Sequence, residues 1–160
     1  MITKDRLHEL FDYQDGNLIW KTQLAYRGKV GTIAGSLRND GYRQIGINKT
    51  DYLLHRLVFM YFNGYMPKYI DHIDGDRTNN KIENLRECTN QQNSFNASIS
   101  KNNTSGVKGV SWDKQRNKWE AKCTINRKTI HLGRFESLDD ACIALRSWRE
   151  QNHGQFARHN

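Results

Sequence analysis

The sequence predicts an α+β chain built from small modules: a strand, loop, strand and helix unit in the middle, then a three-stranded antiparallel sheet covered by one helix. Three observations carry this. The hydrophobic fraction over 160 residues is 36%, thin for one large layered core and suited to modules with much polar surface. Short alternating or apolar runs recur between turn residues, the pattern of strands. Helical spacing of apolar residues is confined to a few short stretches and one longer one near residue 145.

Taken in order, residues 3–11 read as a short helix because Leu7, Leu10 and Phe11 recur at helical spacing. Asn17 to Trp20 is a strand candidate, Gly28, Gly31 and Gly35 break the next stretch, and Gly41 to Ile47 alternates with period two. Asn48 to Asp51 is a turn before Tyr52 to Leu54. His55 to Asn63 is a helix with Leu57, Val58, Tyr61 and Phe62 on one side, stopped by Gly64 and the single proline, Pro67. Ile70 to Ile73 reads as a strand ending in the Asp74-Gly75 turn, with Leu85 to Cys88 as its partner. Thr89 is a good N-cap, and Gln92 three residues later completes a capping box for a helix that carries Asn93 and Asn96.

Residues 98–105 are polar and read as a linker. Beyond it lie strands at Val107 to Trp112, Trp119 to Ile125 and Lys128 to Leu132, with turns at 113–117 and 126–127. A helix follows from Ser137 to Gln151, with Leu138, Ala141, Cys142, Leu145 and Trp148 spaced to cover a sheet. The expected divisions are a leader over 1–51, a central module over 52–97, the linker, a C-terminal module over 106–154 and a tail over 155–160.

Charge narrows the function classes. The net charge is +8 and the pI about 9.5, but the excess lies at the two ends. Residues 51–100 are nearly neutral and gather Asp71, Asp74 and Asp76, whereas residues 101–160 carry twelve Lys or Arg against six acids. Basic flanks around an acidic centre suit a polyanionic substrate and a divalent cation together. The longest apolar run, Leu57 to Phe62, is far below the ~20 residues of a membrane span, and no apolar signal segment follows Met1. The expectation is a cytoplasmic protein without a membrane partner. Cys88, Cys123 and Cys142 are odd in number and widely spaced, which argues against a disulfide framework or a zinc knuckle.

The central segment holds Asp71, His72 and Asn93, which strand, loop, strand and helix bring within possible reach of one another. Phosphodiester hydrolysis needs a water deprotonated in line with the leaving oxygen and compensation for developing negative charge. A histidine serves the first task, and a hard cation held by carboxylate and amide oxygens serves the second. Neighbouring side chains of a strand point to opposite faces, so Asp71 and His72 share one site only at a twisted end or a bulge. Asp74, Asp76 and Asn79 are read as turn formers.

The run from Tyr69 to Asn93 resembles the HNH nuclease motif, the beta-beta-alpha metal finger, in the form carried by homing endonucleases of phage self-splicing introns. Asp71-His72, Asn84 and Asn93 stand at the three motif positions, and Asn84-Leu85 matches the usual Asn-Leu pair. The resemblance implies that His72 is the general base, that Asp71 and Asn93 are ligands of one Mg2+ or Mn2+ ion, and that Asn84 holds the finger and orients the histidine. His55-Arg56-Leu57-Val58 matches a run common before this motif, which makes His55 and Arg56 candidate phosphate contacts. Zinc-binding cysteine pairs found in many relatives are missing, so packing must hold the finger.

From Lys108 to Arg134 there are eight Lys or Arg against two acids, Asp113 and Glu120, with Trp112 and Trp119 interleaved. At least one tryptophan is expected to pack under the helix. This stretch resembles the AP2 DNA-binding domain: Val107-Lys108-Gly109-Val110, Lys118-Trp119-Glu120-Ala121, Leu132-Gly133-Arg134-Phe135 and the helix with Ala141 and Ala144 stand at its positions. The resemblance points to a sheet that reads the major groove through Lys108, Arg116, Lys118, Lys122, Arg127 and Arg134. It departs from the plant pattern at the first strand, where Ser111 and Trp112 replace an arginine-rich run.

Residues 16–58 resemble a leader common in phage HNH proteins, and Arg27, Lys29, Arg38 and Arg43 either extend a DNA footprint or are a solvated surface. Together the resemblances imply an endonuclease of double-stranded DNA with a preferred site, acting in a bacterial or phage-infected cell without a small-molecule cofactor. A monomer that nicks is expected, with a dimer that cuts both strands left open. The alternative is a DNA-binding regulator that keeps both modules and does not cleave.

Overall fold

The computed structural model describes the chain except residues 1, 25–27, 97–98, 100–101, 127, 154–155 and 157–160, and the backbone alone at Asn96 and His153. It divides into two units, Met1–Cys88 and Thr89–Asn160.

The first unit opens with α1 (Lys4–Leu10), whose N-cap Thr3 accepts the Arg6 N–H at 3.2 Å. The chain passes directly into β1 (Phe11–Gln14), which pairs antiparallel with β2 (Asn17–Trp20). The turn between them is Asp15-Gly16, both at positive φ, the backbone that a two-residue hairpin requires. Sequence spacing assigns Phe11 to the helix; the structure gives it to β1, because a buried position at a helix end and one at a strand start look alike in a short pattern. The strands β3 (Ser36–Leu37), β4 (Arg43–Ile47) and β5 (Thr50–Leu53) form an antiparallel sheet in that order. Asn48 and Lys49, at φ 48° and 64°, turn β4 into β5.

Helix α2 (Leu54–Asn63) follows β5 without a linker, and Gly64 at φ 80° closes it by donating its N–H to the Met60 carbonyl at 2.8 Å. The strands β6 (Tyr69–His72) and β7 (Leu85–Cys88) then pair antiparallel, joined by a loop that ends in a 3-10 turn over Ile82–Asn84.

One core serves this whole unit. Leu7, Leu10, Phe11, Leu18 and Ile45 from the first fifty residues pack with Leu54, Leu57 and Val58 of α2, and Ile70 and Leu85 bring in the β6–β7 hairpin. No break in packing falls at residue 51; the expected leader and the hairpin share one interior. Leu57→Ala, at a fully buried position, is expected to destabilise the unit by about 2–5 kcal/mol. A urea midpoint equal to that of the unaltered chain would show that α2 does not anchor this core.

In the second unit, α3 (Asn90–Asn96) starts at a reciprocal cap. Thr89 N–H donates to Gln92 Oε1 at 2.8 Å, and Gln92 N–H donates to Thr89 Oγ1 at 3.2 Å. The strands β8 (Val110–Asp113), β9 (Lys118–Ile125) and β10 (Lys128–Phe135) form an antiparallel sheet with β9 central, and α4 (Leu138–His153) follows. Ser137 caps α4, taking the Asp140 N–H at 3.1 Å and donating to Asp140 Oδ2 at 2.8 Å. Val110, Ala121 and Cys123 from the sheet meet Ala141 and Leu145 from α4. Trp119 packs against this core, while Trp112 leans edge-on against it and stays 39% exposed. Gly109 lies at φ 86°, where an added Cβ would stand 2.5 Å from the Lys122 carbonyl oxygen; β9 passes too close for any other residue.

Candidate active site

The site is built around the loop that joins β6 to β7. Asp74 and Asn84 knit its two ends. Asn84 donates from Nδ2 to Asp74 Oδ1 at 2.9 Å and to the Asn79 carbonyl at 2.8 Å, and its own Oδ1 accepts the Asp74 N–H at 3.1 Å. Asn79 Nδ2 reaches Asp74 Oδ2 at 2.7 Å, and the Asp76 N–H reaches Asp74 Oδ1 at 2.8 Å. Burial works against the Asp74 carboxylate, but the Asn84, Asn79 and Asp76 donors and nearby His72 outweigh it and hold its carboxyl below the ordinary range. Asp76 accepts the Thr78 N–H and hydroxyl, both at 2.8 Å. These residues form turns, and their hydrogen bonds fix where β6 ends.

His72 is the last residue of β6 and is buried, at 5% exposure. Its Nε2 lies 3.2 Å from Asn80 Oδ1. Asn80 is itself buried, and its Nδ2 donates to the Thr78 carbonyl at 2.9 Å. The amide nitrogen is thus committed, the amide oxygen faces the imidazole, and Nε2 must carry the proton it donates. In the neutral ring Nδ1 is then the basic nitrogen. Asn80 was not singled out from the sequence, and the signal for it is weak: it is one of two adjacent asparagines in a loop of turn formers.

Asp71 takes a different partner. The β6–β7 ladder runs without a register shift and sets Asp71 opposite Arg86. Arg86 donates from Nε at 2.9 Å and from Nη2 at 2.7 Å to Asp71 Oδ2, with the carboxylate 5% exposed. The pair fixes the direction of the carboxylate on the face of β6 that Arg86 shares. Arg86 was also missed in the sequence, although a cation directly across from an acid is a standard cross-strand pairing.

His55 stands near the start of α2 with its ring centroid 5.1 Å from that of His72 and 5.1 Å from that of Tyr42. Arg77 lies over the Tyr42 ring, 4.9 Å from its centroid, and donates to the Asp40 carbonyl at 2.9 Å. The first fifty residues therefore supply one wall of the site through Tyr42. His55 is 6% exposed and its Nδ1 has no hydrogen-bond partner. Burial, then the neighbouring His72 and Arg56, push its pKa down to about 3. The unfolded ring titrates near 6.5, so below that pH the unfolded chain binds the proton more readily. The stability contributed by the neutral ring is complete above 6.5 and is lost as pH falls toward 3. Acidification through that window is expected to lower the urea midpoint, and His55→Gln to remove most of that loss; equal acid sensitivity in both proteins would sink the assignment.

The remaining residues named from the sequence are placed as follows. Arg56 spends its guanidinium on the Pro67 and Lys68 carbonyls at 2.7 and 3.3 Å, pinning the approach to β6. Asn93 stands on α3 in the second unit, its N–H donating to the Thr89 carbonyl at 3.0 Å. Lys108 donates from Nζ to the Ser94 and Phe95 carbonyls at 2.7 and 3.3 Å, a cation at the C-terminal end of α3. Lys118, Lys122, Arg116 and Arg134 lie in or beside the three-stranded sheet, each paired with an acid. Arg127 and Arg27 lie outside the described residues. Arg38 pairs with Asp40, and Arg43 donates to the Gly35 carbonyl. Among the described residues no group of three or more His, Cys, Asp or Glu side chains is placed to hold a metal ion.

Residues 52–95, which span this hairpin and α3, match the HNH endonuclease family. The chain is also 42% identical over 106 residues, 65% of its length, to Protein 3.8 of Escherichia phage T7, of which 87% is covered. The chain belongs to the HNH endonuclease family. It is a DNA endonuclease of the HNH type. Further relatives of this HNH endonuclease share less of their length with it. An uncharacterized HNH endonuclease of Acanthamoeba polyphaga mimivirus is 34% identical over 110 residues, covering 67% of the chain and 56% of that protein. A Bacillus subtilis SPbeta-prophage protein, named as an HNH homing endonuclease, is 39% identical over 64 residues, covering 36% of the chain and 37% of that protein. No solved structure matches the chain. No helix among the described residues is long and apolar enough to cross a membrane.

Proposed function

We propose that this HNH endonuclease hydrolyses phosphodiester bonds of double-stranded DNA at a preferred sequence, with His72 as the general base. The observation that carries the reading is the Asn80–His72 hydrogen bond, because it selects the tautomer whose Nδ1 can take a proton. Nδ1 receives a proton from water, the water oxygen bonds to phosphorus, and the bond to the 3′ oxygen breaks. The products are a 5′ phosphate and a 3′ hydroxyl, whose proton comes from solvent. Asn84 keeps the loop in place, and Asn80 fixes the ring.

Asp71 and Asn93 are the residues proposed to hold one divalent cation. Both offer hard oxygen donors, and no thiolate pair competes, since Cys88, Cys123 and Cys142 are separate free cysteines. Two protein ligands are few, but Mg2+ keeps several waters and takes phosphate oxygens, so a small oxygen set suits it or Mn2+ better than zinc. When bound there, the ion supplies positive charge against the charge that develops on the leaving 3′ oxygen.

The three-stranded sheet with α4 has the element order of the AP2-like domain that the sequence resembles, and it is proposed to dock on the duplex through Arg116, Lys118, Lys122 and Arg134. Joining a docking unit to a cleaving unit in one chain raises the local concentration of one at the other's target. Supercoiled plasmid incubated with the protein is expected to be converted to open-circle form in Mg2+ and to persist in EDTA; linear product would report cutting of both strands. Salt-sensitive binding with no cleavage in Mg2+ would replace this reading with that of a non-cleaving regulator.

A further inference from the structure

The outer face of the β8–β9–β10 sheet is not a plain basic patch. Glu120 sits in it at 9% exposure. It takes hydrogen bonds from His131 Nε2 at 2.7 Å and Arg134 Nη2 at 3.0 Å, and it pairs with Lys122. Asp113 accepts from Arg134 Nε at 2.9 Å and Arg116 Nη1 at 3.2 Å, and from the backbone N–H groups of Gln115 and Arg116 at 3.1 and 3.2 Å. Arg134 thereby bridges the two carboxylates. The Lys122 hydrogen bond, opposed by burial and helped by His131, holds the Glu120 carboxyl below its ordinary range. At Asp113 burial is outweighed by Arg134, Arg116 and the backbone donors, in the same direction. Both acids are ionised at neutral pH.

The backbone is shaped for this pairing. Glu120 lies directly opposite Arg134 in the β9–β10 ladder, and Lys122 opposite His131. His131 and Arg134 are three apart and would point to opposite faces of a regular strand. A register shift between His131 and Gly133 turns both toward Glu120, with Gly133 at φ 144°. Two ionised carboxylates set among the cations of a DNA-facing surface weaken its attraction for every phosphate equally, so their value must lie in discrimination.

We propose that Glu120 and Asp113 are specificity-determining residues, which hold Lys122, Arg134 and Arg116 in fixed register and penalise any duplex that does not replace their ion pairs. This rests on the reading of the sheet as the docking face. A matching duplex offers guanine edges to the arginine and lysine heads, and a cytosine amine to Glu120. A mismatched duplex offers phosphates alone, which compete with the carboxylates for the same cations.

The test uses the full chain and two probes: random-sequence duplex, and a duplex pool that the unaltered protein has enriched from a random library. Dissociation constants are measured for both probes over a range of salt. Glu120→Gln is expected to bind random duplex about tenfold more tightly, with a salt slope steeper by about one for each added phosphate contact. The enriched-to-random preference is expected to fall about tenfold. A Glu120→Gln protein that melts like the unaltered one and keeps both its preference and its slope overturns the inference while docking stands. If Glu120→Gln melts early, Asp113→Asn decides on the same two quantities. A Lys122→Ala protein that binds both probes with the affinity and salt slope of the unaltered protein would overturn the docking reading and this inference with it.

Discussion

Replacing His72 by alanine is expected to lower the cleavage rate of the folded protein by about 10²- to 10⁴-fold, the usual contribution of a positioned general base, with duplex binding near that of the unaltered protein and a stability loss of about 1–3 kcal/mol, because the ring is 5% exposed and bonded to buried Asn80. The expectation rests on placement. His72 closes β6, its Nε2 faces an amide oxygen whose partner nitrogen is already committed to Thr78, and the loop that follows is tied by Asn84 and Asp74. Asn80→Ala leaves the imidazole present but removes the amide oxygen that favours the Nε2–H tautomer, so a smaller loss is expected, on the order of tenfold to a hundredfold. Added imidazole should restore part of the activity of His72→Ala and none of that of Asn80→Ala. Full activity in His72→Ala would remove it from the reaction; unchanged activity in Asn80→Ala would mean that the amide does not set the tautomer.

Asp71→Asn is the second large effect. If its carboxylate binds the cation that balances charge in the transition state, its loss costs several kcal/mol, on the order of a thousandfold in rate, with saturation moved to higher Mg2+. The same change breaks a pair with Arg86 whose two side chains are 5% and 14% exposed, so a stability loss of about 3 kcal/mol is also expected. The two consequences separate the roles. A purely structural Asp71 would give the melting shift with an unaltered Mg2+ requirement in the protein that remains folded. Cleavage by Asp71→Asn at the unaltered rate and the same Mg2+ level would dismiss it as a ligand.

The sequence was most legible where chemistry and local geometry coincide. The cap at Thr89 and Gln92 depends only on residues three apart, and it stands in the structure as read. The α2 helix, the β6–β7 pair and the sheet with α4 were likewise carried by periodicity and turn residues. Asp71 and His72 could be named as site candidates because the run from Tyr69 to Asn93 resembles the HNH motif; the acid and histidine alone would also suit an ordinary strand end. Asn80, Arg86 and Tyr42 could not, because their meaning lies in contacts between separate stretches: Arg86 with Asp71 across a ladder, and Tyr42 with His55 from a different sheet and helix. The ion pairs of the basic residues are hidden from the sequence for a related reason. Counting cations from Lys108 to Arg134 suggested a surface open to phosphate, whereas two acids were enough to engage four partners: Lys122, His131, Arg134 and Arg116.

The single interior shared by α1, the two early sheets, α2 and the β6–β7 hairpin sets an order of events during synthesis. Leu7, Leu10, Phe11 and Leu18 leave the ribosome long before Leu57 and Val58, and Leu85 comes last. Until α2 has emerged, the nascent chain carries apolar faces that nothing yet covers, a state prone to association with other chains. The hairpin that bears His72 closes only when Leu85 arrives to complete its side of the core, so an interrupted translation product ending before that point carries the histidine without the strand that frames it.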